Sequence, residues 1–501
     1  MRFLVAALIV GAALAGCLAG DDDSTDASAV YPLYKPVDGK VHYEYELPSG
    51  HLFHAHWAPG GESKVWNKEG DGDVSVTLPE YSILLTPGAS EGSWAFSLDR
   101  DLVLAPGDEV LFIAPPSATD LALTINGEAT VLNGTDVPGY ETPTGQFLSG
   151  ENIVELMAYQ EANFPHREPG LENYGKSIEY FAAYFEELGY EVEVDPYGTG
   201  SLTDTAGCSP VGLNTLCPES LANVVAVKPG NTRPDEIIFV AGGHFDMVPQ
   251  TTHAAFDDTS GTIMTLELAR AMAPLEFDRT IAFGLWGGEE NGLLGSNFWV
   301  KTNQDAAATQ ILSYWNLDVV GMSWPAPVVQ PDPIMIAAGP DVPSVSLDGT
   351  SVDPVSLDLL DFAAHLQQDW FGFPDEHFLY EGVASGQVAG YAGVNAQSDH
   401  TAFIAGGVPS YFIFNADALA ADNPVALHTE ADTLTNMTKY ALYGGEFDLD
   451  DPTWISEEDR LAAEAALARS FEAVMFFPFY HAILLDLGEY DHPSIAGTLP
   501  P

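Results

Sequence analysis

Short apolar runs that end on a histidine or a carboxylate constrain this chain more than any other feature. The run from Ile237 leads through Gly-Gly into His244-Phe-Asp246, and the run from Ile281 to Trp286 leads through Gly-Gly into Glu289-Glu290. A third, Ile311 to Leu317, leads into Asp318. Asp257-Asp258-Thr-Ser-Gly261 stands at the start of an apolar-periodic stretch, and Leu427-His428-Thr429 follows a proline-containing loop. Apolar runs of this length, bounded by turn residues, read as buried strands. Strands are expected at residues 223–227, 236–241, 280–286 and 311–319, with helices at 261–272 and 291–302 between them. A further amphipathic helix from Ser177 to Leu188 closes on Gly189. The alternation specifies the α/β class, with a mostly parallel mixed sheet flanked by helices. Such sheets carry their chemistry at the carboxyl ends of strands.

The residue types point to a metal. Imidazoles with carboxylates, and no thiolate among them, suit a hydrolytic zinc site better than a structural one. Asp246 lies two residues after His244, on the same side of an extended chain. It is placed to accept a hydrogen bond from the second ring nitrogen of a metal-bound imidazole. Asp257 and Asp258 also fit an N-terminal helix cap. Glu289 and Glu290 are adjacent and point different ways, so one can ligate while the other stays free as a base. Asp318 stands in the apolar stretch Trp315 to Gly321 and requires a partner there.

Composition bounds the setting. The chain has 501 residues, 46% of them hydrophobic, enough for a large core and about three domains. Asp and Glu number 73 against 16 Lys and Arg, a net charge of −57, which argues against nucleic acid as a partner. Aromatic residues and long apolar runs argue against disorder, so the acid excess reads as a halophilic surface. Residues 1–16 carry Arg2 before a short apolar stretch and read as a signal peptide. Leu14-Ala-Gly-Cys17 resembles a lipobox, which would make Cys17 a lipidated N-terminus on the extracellular face of the membrane. No second segment reads as long and apolar enough to span a bilayer. Cys208 and Cys217 are expected to form a disulfide outside the cell.

Residues 17–30 read as an acidic tether and 31–137 as an all-β sandwich-like domain, from alternating runs such as 41–47, 74–78, 81–85 and 110–114. His54 and His56 in that domain read as exposed strand residues. Residues 138–150 read as a linker, 151–485 as the α/β domain with an inserted segment at 325–380, and 486–501 as a tail. Asn133-Gly-Thr and Asn436-Met-Thr match the glycosylation pattern.

The five segments, with Ser398-Asp399-His400-Thr-Ala-Phe403 and Gly406-Gly-Val-Pro409, resemble the co-catalytic zinc aminopeptidases of the MH clan. That family includes secreted leucyl aminopeptidases, glutamate carboxypeptidases and glutaminyl cyclases. The likeness covers roughly residues 151–445. It implies two zinc ions, one on His244 and Asp318, the other on Glu290 and His428, with Asp257 bridging them. It implies Glu289 as general base to a zinc-held hydroxide and Asp246 as the residue that orients His244. Asp399 and His400 are expected to support the site from nearby, with His428 rather than His400 as the ligand. Relatives that place a tyrosine hydroxyl on the oxyanion do so where this chain has Leu427 or Asn395, which leaves Asn395 or the nearby Tyr391 as candidates. The implied activity is aminopeptidase action on peptides. Carboxypeptidase or cyclase activity on the same fold is the alternative, and a catalytically inactive adhesion lipoprotein is the rival of another class.

The acid excess generates a prediction. At about 1 M salt the screening length is about 3 Å, so acidic self-repulsion is suppressed there and long-ranged in dilute buffer. The melting temperature should rise steeply between about 0.1 M and 3 M potassium chloride; a flat profile would reject a halophilic surface.

Overall fold

Two kinds of strand, half-buried and fully buried, build two sheet systems in this protein. The computed structural model describes residues 41–46, 52–57, 62–67, 72–79, 81–114, 121–132, 135–136, 147–197, 221–307, 310–321, 334–339, 378–381, 398–406, 408, 410–415, 425, 427–443 and 456–488. Cys17, Cys208, Cys217, Tyr391, Asn395 and Asn133 lie outside these residues, as do the expected signal peptide and tether.

The amino-terminal strands are β1 (Val41–Glu46), β2 (Leu52–Trp57), β3 (Glu62–Trp66), β4 (Val74–Thr77), β5 (Ile83–Pro87), β6 (Trp94–Ser97), β7 (Asp101–Leu104), β8 (Glu109–Ile113), β9 (Leu121–Ile125), β10 (Glu128–Leu132) and β11 (Thr135–Asp136). They form an antiparallel sheet in the order β11-β1-β2-β3-β8-β5-β6 and a second in the order β10-β9-β4-β7. Alternate residues such as Phe53, Val65, Val74, Val76, Phe112, Leu123 and Ile125 meet in one apolar core, as period-two patterning requires. His54 corrects its reading: it is 6% exposed and stacks on Trp66 at 5.1 Å, so an amphipathic ring serves packing. The His56 side chain is outside the described set.

The second system is a mixed sheet of β12 (Glu191–Tyr197), β13 (Leu221–Lys228), β14 (Arg233–His244), β15 (Arg279–Trp286), β16 (Ile311–Leu317), β17 (Ile334–Gly339), β18 (Phe378–Glu381) and β19 (Ser410–Asn415). Its order is β12-β13-β15-β14-β16-β19-β17-β18. The β15–β14, β14–β16 and β16–β19 ladders at its centre are parallel. Every residue of β15 is buried, as expected of a strand covered on both faces. From the segment read as an insertion, the described residues add β17 and β18 to this sheet.

Helices α1 (Gly150–Asn163), α2 (Glu172–Glu187), α3 (Ser260–Met272), α4 (Leu294–Thr302), α5 (Gln304–Ala307), α6 (His400–Ala405), α7 (Leu434–Tyr443) and α8 (Glu457–Leu487) complete this part. Helix α4 starts three residues later than expected, because Gly292 (φ 104°) and Leu293 (φ 57°) take left-handed backbone that no helix accommodates. Asn436 opens no glycan site: it is buried, and its Nδ2 donates to Ala431 O at 2.8 Å. Helix α8 is long and apolar enough to cross a membrane by length and composition, contrary to expectation, but its apolar stretch is buried within the fold, against α1, α7 and β14. Asp486, read as tail, lies in its last turn and accepts from Asp278 N (3.1 Å) and Arg279 N (2.7 Å).

The sandwich meets the α/β part at the loop before β15. Trp94 N donates to Pro274 O and Glu276 N to Trp94 O, each at 2.8 Å. Glu276 Oε1 accepts from Ala89 N (2.7 Å), Ser90 N (3.2 Å) and Ser93 Oγ (2.5 Å).

The chain leaves β14 through α3 to β15 on one side, then crosses through α4 to β16 on the other. The carboxyl end of β14, at His244, is therefore the switch point where such sheets open a crevice. Gly261 lets α3 close on it: a Cβ there would meet Leu317 O at 1.9 Å and Asp258 Oδ2 at 2.6 Å. Gly261→Ala should lower stability by about 1–3 kcal/mol through overpacking, read as an earlier denaturant midpoint at high salt.

Candidate metal centre

Five elements deliver the polar side chains to the switch point. His244 ends β14, and Asp246 follows two residues later. Asp257 and Asp258 sit in the turn Ala255–Thr259 before α3, and Glu289 and Glu290 follow β15. Asp318 follows β16, and His428 comes from the segment before α7 in left-handed backbone (φ 59°). The structure brings all of the expected metal ligands together. Asp257 Oδ1 lies 3.0 Å from His244 Nε2, and its Oδ2 lies 3.0 Å from His428 Nε2. Glu290 Oε1 is 3.3 Å from His428 Nε2, and Asp318 Oδ1 is 3.6 Å from His244 Nε2. Glu289 Oε2 stands 4.0 Å from His244 Nε2.

Adjacent acids divide their work. Asp258 Oδ1 accepts from Gly261 N (2.8 Å) and Ser260 Oγ (3.2 Å), and its Oδ2 accepts from His244 N (3.2 Å). It caps α3 and anchors the end of β14, although its oxygens also lie within 4.8 Å of donor atoms on His244 and Asp318. Both Asp258 oxygens are thus engaged by the chain, whereas the two Asp257 oxygens each face an imidazole. Asp246 Oδ1 lies 3.5 Å from His244 Nδ1 and accepts from Glu289 N (3.1 Å), while Oδ2 accepts from Glu290 N (3.3 Å). It thus sets the turn that aims both glutamates, a role its sequence position gives no hint of.

The electrostatics call for cations. Burial alone would lower the His244 imidazole, but the Glu289, Asp318, Asp246 and Asp257 carboxylates overcome this and hold it well above its usual range. Hydrogen bonds to Asp257 and Glu290 lift His428 to about 11. Burial pushes Asp257 up, yet its two histidine partners take it below the carboxylate range. Burial holds Glu289 well above that range and raises Glu290 to about 7. Asp318 Oδ1 is buried and lacks a hydrogen-bond partner among the described residues. Two ligands at zinc distance from one ion, about 2.0–2.1 Å each, stand about 3.3 Å apart in a tetrahedron. The His244–Asp257, His428–Asp257, His428–Glu290 and His244–Asp318 separations, 3.0, 3.0, 3.3 and 3.6 Å, lie near that spacing. This donor set fits zinc.

The supporting shell holds more than sequence reading found. Arg167 is buried and donates to Phe245 O (2.9 Å), Phe164 O (3.3 Å), His253 O (3.2 Å) and Thr259 Oγ1 (2.6 Å), tying the end of β14 to the Asp257 turn. Burial lowers its guanidinium to about 10. The one available signal was a cation in a cation-poor chain. Asp432, four residues after His428, accepts from Phe256 N (2.6 Å) and Asp257 N (3.1 Å). Asp399 is buried close to His244, Asp246, Asp318 and Glu289, with its carboxyl raised by burial to about 7. His400 stacks on Phe412 at 4.5 Å, and burial lowers it to about 3, so it is a neutral core residue.

A family match covers the stretch that holds His244, Asp257, Glu289, Glu290 and Asp318, and ends before His428. The model of Peptidase family M28 matches residues 223–347. Aminopeptidase YwaD of Bacillus subtilis is 34% identical over 264 residues, 50% of this chain and 54% of its own length. Leupeptin-inactivating enzyme 1 of Streptomyces exfoliatus is 28% identical over 184 residues, 36% of this chain and 37% of its own. The chain thus spans about half, or less, of the length of these relatives. Among solved structures, an aminopeptidase from Aneurinibacillus sp. strain AM-1 aligns with a TM-score of 0.39 and 18% identity, over 65% of this chain and 93% of that one. A glutaminyl cyclase from Porphyromonas gingivalis aligns at 0.44 and 16%, over 66% and 98%.

The Asp432 clamp generates a prediction. Asp432→Ala leaves two buried N–H groups unpaired, at about 1–3 kcal/mol each, and frees Asp257 to drift. The denaturant midpoint should fall and zinc binding weaken, whereas Glu430→Ala, which removes only an exposed bond from Thr252 Oγ1, should change neither.

Proposed function

We propose, on the premise that the chain carries a peptidase family M28 domain at residues 223–347, that it is a zinc-dependent aminopeptidase removing N-terminal residues from peptides. The observation that carries this reading is Asp257, with one carboxylate oxygen 3.0 Å from each of two histidines. His244, Asp257 and Asp318 would hold one zinc ion, and Asp257, Glu290 and His428 the other. Two such ions supply Lewis-acid polarisation of the scissile carbonyl and a water of lowered pKa.

The chain's own residues do the rest. Glu289 is 8% exposed and stands 4.0 Å from His244 Nε2, farther than Asp257 at 3.0 Å or Asp318 at 3.6 Å. Its raised carboxyl suits a group that takes a proton from the attacking water and passes it to the leaving amine. Asp246 holds Glu289 in place through its backbone N–H. The acidic lining attracts the substrate's free α-amine. Leu427, next to His428, offers no hydroxyl to the developing oxyanion, and Asn395 or Tyr391 is the proposed donor. The same reading takes the chain as an extracellular, salt-adapted lipoprotein anchored at Cys17 and braced by a Cys208–Cys217 disulfide, supported by the apolar stretch before Cys17 and the acid excess.

The test is metal content and turnover on aminoacyl, C-terminal acyl and N-terminal glutaminyl peptides at high salt. About two zinc ions per chain should bind, and chelation should abolish a hydrolysis that zinc restores. Glu289→Gln should lower turnover by at least about 10²–10⁴-fold while retaining zinc, and His428→Ala should lose zinc. A chelated chain with full activity would sink the reading.

A further inference from the structure

A line of buried hydrogen bonds runs away from the site through the sheet. Trp286 Nε1 donates to Tyr314 Oη (2.8 Å), and Tyr314 Oη donates to Asn316 Oδ1 (2.8 Å). Asn316 Nδ2 donates to Ser398 Oγ (2.7 Å), and Ser398 Oγ donates to Asp318 Oδ2 (2.6 Å). Tyr314, Asn316 and Asp318 alternate along and just past β16, so they share one face. Trp286 ends the neighbouring-but-one strand, and Ser398 precedes α6. Trp286, Tyr314, Asn316 and Ser398 have no more than trace exposure.

The direction of this line is fixed at its head. An indole N–H can only donate. It occupies an acceptor position of the tyrosine oxygen, whose proton is then given to the asparagine carbonyl. The asparagine amide presents its NH₂ to the serine, whose proton is left for Asp318 Oδ2. The other oxygen, Asp318 Oδ1, has no hydrogen-bond partner among the described residues and lies 3.6 Å from His244 Nε2. Gly242 keeps the line passable: a Cβ there would meet Tyr314 Oη at 2.7 Å and Trp286 Nε1 at 2.9 Å. The Tyr314 ring is also stacked on Phe403 at 3.8 Å, so its position does not depend on the hydroxyl.

We propose that Trp286, Tyr314, Asn316 and Ser398 are positioning residues that deliver one hydrogen bond to Asp318, reserving its Oδ1 for the ion shared with His244. The proposal rests on the di-zinc reading above. It makes the line specific to one of the two ions, because nothing in it touches Glu290 or His428. It also assigns a task to Ser398, in the Ser-Asp-His segment, that neither ligation nor proton transfer accounts for.

The test is zinc affinity of the full chain at molar potassium chloride, measured by competition with a chromophoric chelator, with near-ultraviolet circular dichroism as the check on folding. Ser398→Ala should weaken one of the two zinc equivalents by roughly 10–100-fold and leave the other unchanged, the usual effect of removing an outer partner of a ligand. Ser398→Thr, which keeps the hydroxyl, should restore it. Tyr314→Phe, which keeps the stacked ring, should weaken the same equivalent, and it decides the matter should Ser398→Ala not fold. Variants that melt earlier yet bind both zinc ions as the wild type does would overturn the line as a positioning device while leaving the di-zinc reading intact. A wild-type chain that binds no zinc would overturn both.

Discussion

Carboxylates gathered out of reach of water set the terms for the rest of this molecule. Asp246, Asp257, Asp258, Glu289, Asp318 and Asp399 are each less than a tenth exposed around one strand end. Buried charge of one sign is costly unless protons, cations or hydrogen-bond donors answer it. Each answer is visible. The histidines and Glu289 favour their protonated forms, Asp258 and Asp246 are met by backbone N–H groups, and Asp257 is held between two imidazoles. Arg167 lies nearby as a structural cation. Where these end, Asp318 Oδ1 is left without a hydrogen-bond partner among the described residues, on the side of His244.

This arrangement explains why neighbouring acids are not interchangeable. Asp257 and Asp258 are one peptide apart, yet one faces the two imidazoles and the other caps α3. Glu289 and Glu290 share Asp246 as anchor, and only Glu290 reaches His428. Rigid elements do the aiming: a switch-point strand end, a helix start and two turns, with the loop of His428 pinned through Asp432. Binding of ions would then also stabilise the packing of these segments, since a ligand that prefers the folded chain adds to its stability.

Much of this was legible in the sequence because apolar runs and their polar ends are local signals. The central strands and α3 fall where hydrophobic periodicity puts them, and His244, Glu289 and Asp318 sit at the ends of the runs that announce them. What was not legible depends on contacts across long sequence distances. The clamp from Asp432 to the Asp257 turn and the line from Trp286 to Asp318 join residues that no spacing rule relates. The same holds for His54, whose burial comes from a partner on β3, and for α8, whose apolar length is explained only by the helices and strand that cover it. The start of α4 was missed for a different reason: Leu293 takes a backbone conformation that its side chain does not advertise.

The seam between the sandwich and the loop before β15 has a consequence for how this architecture can vary. It combines two main-chain hydrogen bonds, the three bonds that Glu276 Oε1 accepts from the facing turn, and ring contacts of Phe96 with Phe277 at 4.9 Å and of Tyr81 with Tyr480 at 5.9 Å. The loop feeds the amino end of β15, while the ligands cluster at the carboxyl ends of the same parallel strands. Attachment and chemistry therefore occupy opposite poles of one sheet. A substitution on the sandwich side of this seam is therefore made at the far end of the strands from the buried carboxylates, and the sandwich can change without disturbing the strand ends where those carboxylates gather.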